Sequence, residues 1–197
     1  MEKMSTKDRI LESALTLFSE KGYDGVGVDL IAENAGIKGP SLYKHFKGKE
    51  DILDALIEKA ESYYQLNFGT AQNPGKTPAS MDELVRLSMK RIEFTFHDPM
   101  IKKVRRMLTM EQFRSRRIGL LTTKYNIDSV LGVYRELFRL MIETGTMRSG
   151  NPEILAMQFA LPVSILIQLC DREPEREREI MERIEAHFRY FADEHKM

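Results

Sequence analysis

The chain has 197 residues, 42% of them hydrophobic and 30% charged, with a formal net charge of zero, as is typical of a globular protein with one or two hydrophobic cores. Its single cysteine excludes an internal disulfide, and without a signal peptide or an unbroken run of about 18 apolar residues we expect a cytoplasmic protein outside any membrane. A net charge of zero also excludes a protein that holds nucleic acid over its whole surface, so any charge that binds DNA must be local.

The first predicted helix begins near Ser5, which forms a capping-box-like pair with Asp8, and it ends before Gly22. Hydrophobic residues recur along it at the spacing of one helical face: Ile10, Leu11, Ala14, Leu15, Leu17 and Phe18. This stripe predicts a helix that packs against a small N-terminal core.

Two short helices separated by a tight turn are predicted between Val28 and Phe46. The first is followed by Gly36, at a place where a helix C-terminus favours a residue with positive φ. In the second, Leu42 and Phe46 share one face, which directs the polar side chains elsewhere: Ser41, Tyr43, Lys44 and His45. Residues 37–49 contain four lysines and no carboxylate. This arrangement is typical of a helix-turn-helix, whose second helix enters the major groove of DNA.

Residues throughout this N-terminal segment carry a family resemblance. They are Phe18, Gly22, Tyr23, Ile31, Ala32, Ala35, Gly36, Ile37, Leu42, Tyr43, His45, Phe46, Lys49 and Glu50. In this register the first fifty residues resemble the DNA-binding domain of the tetracycline-repressor (TetR) family. The resemblance implies a three-helix helix-turn-helix DNA-binding domain at residues 1–48 and a helical domain for effector binding and dimerisation at residues 49–197.

The resemblance also implies which side chains meet double-stranded operator DNA. Tyr43, His45 and Lys49 should contact phosphates, while Lys38, Pro40, Ser41 and Lys44 should face base edges or their margins. The whole DNA-binding set is Lys38, Gly39, Pro40, Ser41, Tyr43, Lys44, His45 and Lys49. Two residues depart from the family pattern, because members often have a Ser or Thr cap at the place of Gly27 and a basic residue at the place of Asp29. Asp29 suits the positive end of a helix dipole, but it would lie near phosphates.

The rest of the chain is also predicted to be helical. A long helix begins at Lys49, a loop covers residues 69–80, and a helical region covers residues 117–144, with residues 126–128 as a candidate break. Other helices open on capping residues or first-turn prolines: Ser80 with Glu83, Asp98-Pro99, Asn151-Pro152 and Pro174. Since no convincing strand is found, the sequence predicts an all-α protein of about nine helices.

Methionine and aromatic side chains are frequent in the middle of the chain. Such residues form cores, and they also line adaptable apolar pockets, which the TetR resemblance implies between its middle helices. The candidate ligand-binding residues are Met89, Ile92, Phe96, Met107, Met110, Phe113, Tyr125, Tyr134 and Phe138. Seven lysines and arginines between His97 and Arg117 are explained by a solvated face, by an anionic effector or by a second phosphate contact.

The last two predicted helices suit an interface. The first of them is apolar nearly all round from Ile154 to Leu169, and the second has one apolar side opposite a charged face. The resemblance implies that they pair with their copies in a four-helix bundle, with Phe188 or its neighbours in the interface. A two-fold dimer would present two recognition helices to a palindromic site.

Catalytic chemistry is poorly supported. The four histidines are scattered, no metalloprotease, phosphate-binding or nucleophile-elbow motif occurs, and Cys170 suits an inert core thiol. We therefore predict no enzyme, no cofactor and no metal site. The sequence favours a homodimeric transcriptional regulator, a repressor released by a small apolar or amphipathic ligand. The alternative, motivated by Gly27 and Asp29, is a helical ligand-binding or scaffolding protein whose N-terminal domain lacks sequence-specific DNA binding.

Overall fold

The computed structural model describes residues 4–197, and within that range the protein is all-α, without a β-strand. The helices in chain order are α1 Thr6–Lys21, α2 Val28–Asn34, α3 Gly39–Leu42, α4 Lys49–Phe68, α5 Met81–His97, α6 Pro99–Glu111, α7 Arg116–Thr123, α8 Ser129–Glu143, α9 Pro152–Arg172 and α10 Glu177–His195. A π-helical turn at Lys124–Asp128 joins α7 to α8, and a 3-10 turn at Pro174–Arg176 precedes α10. Counted with α7 and α8 as one helical region, the described residues form nine helices, as predicted.

The capping residues read from the sequence form the expected hydrogen bonds. The Ser5 hydroxyl accepts the amide of Asp8 at 3.1 Å at the start of α1. The Asp98 carboxylate accepts two first-turn amides of α6 at 3.0 Å, and the Asn151 side chain accepts one amide of α9 at 3.0 Å. These caps satisfy amides that have no partner inside the helix, so they fix where each helix begins.

The candidate break at residues 126–128 is a π-helical turn, and the helix continues through it into α8. The carbonyl of Asn126 accepts a hydrogen bond from the hydroxyl of Ser164 on α9, at 3.5 Å. The same hydroxyl donates to the carbonyl of Ala160 at 3.3 Å. The wider π-helical turn is therefore accompanied by a hydrogen bond from the neighbouring helix α9, and the chain does not reverse its direction there.

The described chain divides into two compact units. The first unit comprises the residues up to Tyr64 together with Asp98–Leu120, and the second comprises Gln65–His97 together with Leu121–Met197. The domain boundary between residues 48 and 49 stays a prediction. The two units are defined by how densely their residues pack, which does not show which residues bind DNA or an effector.

The core of the first unit is built around α1. Ile10 and Phe18 are completely buried with Leu42 of α3 and Ile52 of α4. Helix α6 packs against α1, where the ammonium of Lys103 donates to a carboxylate and a hydroxyl of α1 at 2.7 and 2.9 Å. The helix-turn-helix helices thus share one core with α6.

A second contact between α6 and α1 involves Glu111 and Gly22. Gly22 ends α1 with φ of +78°, and a β-carbon placed on it would collide with the carboxylate of Glu111. The Glu111 side chain is 1% exposed, and among the described residues neither of its carboxylate oxygens has a hydrogen-bond partner. Its carboxylate forms an ion pair with the guanidinium of Arg114, at 3.7 Å.

Aromatic rings form the core of the second unit. The ring of Phe159 stacks on Phe188 at 4.3 Å between centroids and lies 4.9 Å from both Tyr134 and Phe191. These rings belong to α8, α9 and α10, which therefore pack through one cluster. Of the residues expected in a subunit interface, Phe188 itself is 1% exposed and packs in the core of its own chain, so the expectation is left to its neighbours, where it stays a prediction.

Helix α9 carries more apolar surface than its own unit covers. It is long and apolar enough to cross a membrane by length and composition alone, a criterion that core helices of soluble proteins also meet. Its exposed apolar side chains are Ile154, Met157 and Ile165. The expected subunit interface on this helix stays a prediction.

Candidate nucleic-acid interface

The turn between α2 and α3 is a Schellman motif. Gly36 has φ of +65°, as the sequence predicted, and its amide donates to the carbonyl of Glu33 at 2.9 Å. The amide of Ile37 donates to the carbonyl of Ala32 at 3.0 Å. These bonds stop α2 and turn the chain towards α3.

Helix α3 presents polar side chains because its apolar residues are anchored in the core of the first unit. It begins at Gly39 after the extended residue Lys38, with Pro40 in its first turn, and backbone hydrogen bonds continue the turn to Phe46. Leu42 is 0% exposed and Phe46 is 3% exposed. The outward residues are Tyr43, Lys44 and His45, with Lys38 and Pro40 exposed at the start and Gly39 and Ser41 half-buried.

The positive charge of this surface is not opposed by a carboxylate on α3. Lys38, Lys44 and Lys47 are all exposed, and an exposed acid of α2, Asp29, lies at its margin. A β-carbon placed on Gly39 would be 3.6 Å from the carboxylate of Asp29, so that carboxylate lies beside the start of α3. There it faces the positive end of the short helix.

Lys49 differs from the other lysines because its ammonium is held by Tyr23. The Nζ atom donates to the carbonyl of Tyr23 at 2.9 Å and lies 4.3 Å from the centroid of its ring. Burial raises the pKa of the Tyr23 phenol, and the negative charge of Glu50 adds to this effect. A direct contact between Lys49 and a phosphate would have to share or replace these interactions, and it stays a prediction.

Arg9 is a residue that the sequence interpretation missed. Its guanidinium, on α1, donates to the carbonyls of Ala35 and Gly36 at the end of α2. No sequence motif marks this contact, because the partners are 26 and 27 residues away and the acceptors are backbone atoms.

The basic stretch around α6 is used in several ways. Lys103 bonds to α1, Arg117 forms an ion pair with Asp54 of α4, and Arg105 is buried. Lys102, Arg106 and Arg116 are exposed. Some of these basic residues therefore join helices within the first unit, and the others form a solvated face.

The candidate ligand-binding residues are distributed over both units. Ile92, Phe96, Tyr134 and Phe138 belong to the core of the second unit, and Met89 packs against it. Tyr125 is half-buried in the π-helical turn. In the first unit Met107 is completely buried, whereas Met110 is 39% and Phe113 is 94% exposed.

Two polar contacts lie beside this aromatic core. The hydroxyl of Tyr134 donates to the hydroxyl of Ser88 at 3.3 Å. The guanidinium of Arg91 lies 5.5 Å from the centroid of the Tyr134 ring and donates to the carbonyl of Phe68, the last residue of α4, at 2.9 Å. The end of α4 is thus tied to α5 and to the aromatic core of the second unit.

Within residues 4–197, no group of three or more His, Cys, Asp or Glu side chains is placed to hold a metal ion. His97 instead bonds to Glu177 at 2.8 Å, and His187 to the carbonyl of Phe159 at 3.0 Å.

Comparison with known proteins agrees with the geometry of the N-terminal helices. Residues 10–56 match the model of the bacterial regulatory proteins of the tetR family. The chain is 26% identical over 190 residues to the Probable HTH-type transcriptional regulator YttP of Bacillus subtilis (strain 168), covering 96% of this chain and 87% of that protein. It is 44% identical over 78 residues to IcaR of Staphylococcus aureus (strain Newman), a negative transcriptional regulator of the biofilm operon icaADBC, over 40% of this chain and 41% of that one.

The same fold occurs in a solved repressor. SmeT, the repressor of the multidrug efflux pump SmeDEF of Stenotrophomonas maltophilia, superposes with a TM-score of 0.73 at 19% identity, over 98% of this chain and 92% of that chain. SmeT has also been solved as a complex with triclosan. The relatives found by sequence are transcriptional regulators and not enzymes. Together with the exposed basic face of α3, these matches support a DNA-binding transcriptional regulator of the TetR family of bacterial regulatory proteins.

Proposed function

We propose that the protein is a homodimeric repressor that binds a palindromic operator and is released by a small apolar or amphipathic ligand. The observation that carries the proposal is the exposed polar face of α3 on its two buried anchors, Leu42 and Phe46. A short helix that is anchored by two buried residues has an exposed face in a fixed direction, and the residues of that face are not needed for the packing of its own core. Such a face suits the major groove, and negative regulation by the relative IcaR supports a repressor.

Selection of bound sequences from random duplex DNA tests this proposal. A dimer that reads two half-sites should enrich a palindrome whose halves are centred about one helical turn apart, roughly 34–36 Å. Failure to enrich any sequence would favour the alternative, a helical ligand-binding or scaffolding protein without sequence-specific DNA binding. Asp29 is the residue that favours this alternative, because its carboxylate lies beside the start of α3, where it would be near DNA phosphates.

Replacing Lys44 with alanine should change which sequence is preferred. Lys44 is exposed in the middle of the polar face, and a lysine that donates to a base edge contributes about 1–3 kcal/mol of discrimination at that position. Repeating the selection with the variant gives the readout. Lys49→Ala is the comparison, because loss of a phosphate contact should weaken all sequences about equally and lower the salt slope by roughly one. An unchanged preferred sequence in Lys44→Ala would remove Lys44 from base reading.

The dimer is proposed to form through α9 and α10. The exposed apolar residues of α9 support it, since two copies would cover this surface and a stable interface should bury at least about 1,000 Å². The two-fold axis would then give the two copies of α3 a fixed spacing.

Release by a ligand should obey thermodynamic linkage. A ligand that weakens operator binding by a factor of about 5–150 must itself bind more weakly, by the same factor, when the operator is present. The measurement is the affinity of a releasing compound, found by screening apolar and amphipathic compounds, with and without operator. Equal affinities would show that the compound binds without acting as an inducer.

The link between α4 and the aromatic core supports the ligand-binding part of the proposal. Arg91 bonds to the last residue of α4 and lies over Tyr134, a candidate ligand-binding residue. A ligand that displaced Tyr134 would therefore act on the end of α4. The triclosan complex of SmeT shows that a repressor with this fold binds a small aromatic compound.

A further inference from the structure

The Schellman motif between α2 and α3 bonds the carbonyls of Ala32 and Glu33, and it leaves the carbonyls of the two residues after α2, Ala35 and Gly36, to be satisfied by groups from elsewhere. The guanidinium of Arg9 bonds both of them. Its Nη2 atom donates to the carbonyl of Ala35, and to that of Gly36 at 3.2 Å. Arg9 belongs to α1, so one side chain joins the first helix of the unit to the turn of the helix-turn-helix.

The charge of Arg9 suits this position. The C-terminal end of a helix carries a partial negative charge, and a hydrogen bond from a cation to a carbonyl is stronger than one between neutral groups. Gly36 is also fitted to the contact, because a β-carbon on it would lie 3.0 Å from the Nη2 atom. The φ of +65° favours glycine here, and the absence of a β-carbon also lets the guanidinium approach without a shift.

The position of the two carbonyls determines how α3 leaves the turn. After Gly36 the chain passes Ile37 and the extended residue Lys38 and enters α3 at Gly39. Ile37 is half-buried and its amide is bonded to α2, so little free chain remains between the carbonyls that Arg9 holds and the recognition helix. A change at the turn should be transmitted to the direction of α3.

We propose that Arg9 is a positioning residue for sequence recognition: it ties the helix-turn-helix turn to α1 and fixes the direction of α3 without itself contacting DNA. The inference rests on the proposed sequence-specific binding. The effect expected when Arg9 is replaced follows from the difference between two kinds of DNA contact. Base contacts need the correct direction of α3, whereas non-specific binding depends on the number of phosphate contacts, which a positioning residue does not supply.

The test compares wild type with Arg9→Met and Arg9→Lys on the selected operator and on a scrambled duplex, over a range of salt concentrations. Arg9→Met should lower the ratio of specific to non-specific affinity at least about tenfold, in line with the loss of a hydrogen bond from a charged donor. The salt slope on the scrambled duplex should not change. Arg9→Lys keeps the charge on a shorter side chain whose ammonium should reach the two carbonyls less well, so it should give an intermediate ratio.

Lys21→Met is the matched control. Lys21 is exposed in the last turn of α1 and carries the same charge as Arg9 on the same helix. Its loss should leave the ratio of specific to non-specific affinity unchanged. Circular dichroism establishes that each variant is folded, and if Arg9→Met does not fold, the same criterion applies to Arg9→Lys.

Two results would overturn the inference. An unchanged ratio in a folded Arg9 variant would show that the turn holds its geometry without the guanidinium. Equal weakening on both duplexes, with the salt slope lowered by about one, would show that Arg9 contacts a phosphate. Failure of the wild type to select any operator is a different outcome, because it refutes the proposed function before any variant is measured.

Discussion

Replacing Phe159 with alanine should lower the free energy of unfolding by about 3–5 kcal/mol, because the ring is completely buried and its removal leaves a cavity. The ring lies within 5.4 Å, centroid to centroid, of four other aromatic rings: Tyr134, Phe138, Phe188 and Phe191. Since these rings come from α8 and α10, the cavity would loosen both contacts of α9 at once. Denaturant unfolding at a fixed chain concentration measures the effect.

Phe113→Ala is the matched control for Phe159→Ala. The Phe113 side chain is 94% exposed, so its truncation should change the free energy of unfolding by no more than about 0.5 kcal/mol. The control removes the same atoms without opening a cavity. A loss of less than about 1 kcal/mol in Phe159→Ala would contradict the view that the aromatic cluster dominates this core.

Replacing Ile165 with aspartate should convert the proposed dimer to a monomer. Ile165 is 61% exposed on the apolar surface of α9, so a charge there disturbs the fold little but would be buried without a partner in a dimer. Operator affinity should fall by about 10²–10⁴-fold, because the two half-site affinities no longer combine. Light scattering measures the assembly, and titration of the selected operator measures the affinity.

Leu120→Asp provides the control for Ile165→Asp. Leu120 is 62% exposed and lies on α7, outside the proposed interface, so the same charge at the same exposure should leave the dimer intact. A wild-type monomer at micromolar concentration would refute the interface. Dissociation of both variants would show that the added charge itself, and not its place on α9, is responsible.

Local signals in the sequence predicted much of this fold correctly. Ser5, Asp98 and Asn151 cap their helices, and Gly36 has the positive φ that the turn requires. Each of these depends on residues a few positions apart, so the backbone chemistry of a short segment decides it. The polar face of α3 was predictable for the same reason, because the spacing of Leu42 and Phe46 determines which side points inwards.

Contacts between distant parts of the chain were not predictable in this way. Arg9 and Lys49 each donate to a backbone carbonyl about 26 residues away, and nothing in the neighbouring residues marks those acceptors. Burial was not predictable from the sequence either. Phe113 and Phe188 both continue apolar patterns, yet Phe113 is 94% exposed and Phe188 is 1% exposed. Which apolar residue is covered depends on the packing of whole helices, which a periodic pattern does not contain.

The contact between Gly22 and Glu111 has a consequence for how this sequence can diverge. Any side chain at position 22 would meet the Glu111 carboxylate and would also have to adopt φ near +78°. The two positions should therefore vary together among closely related chains, with a residue other than glycine at 22 only where 111 is small. Glu111 can shorten at the cost of its ion pair with Arg114, since its carboxylate has no hydrogen bond among the described residues to lose. We therefore expect substitution of residue 111 to come first, and substitution of Gly22 to follow only after residue 111 has become small.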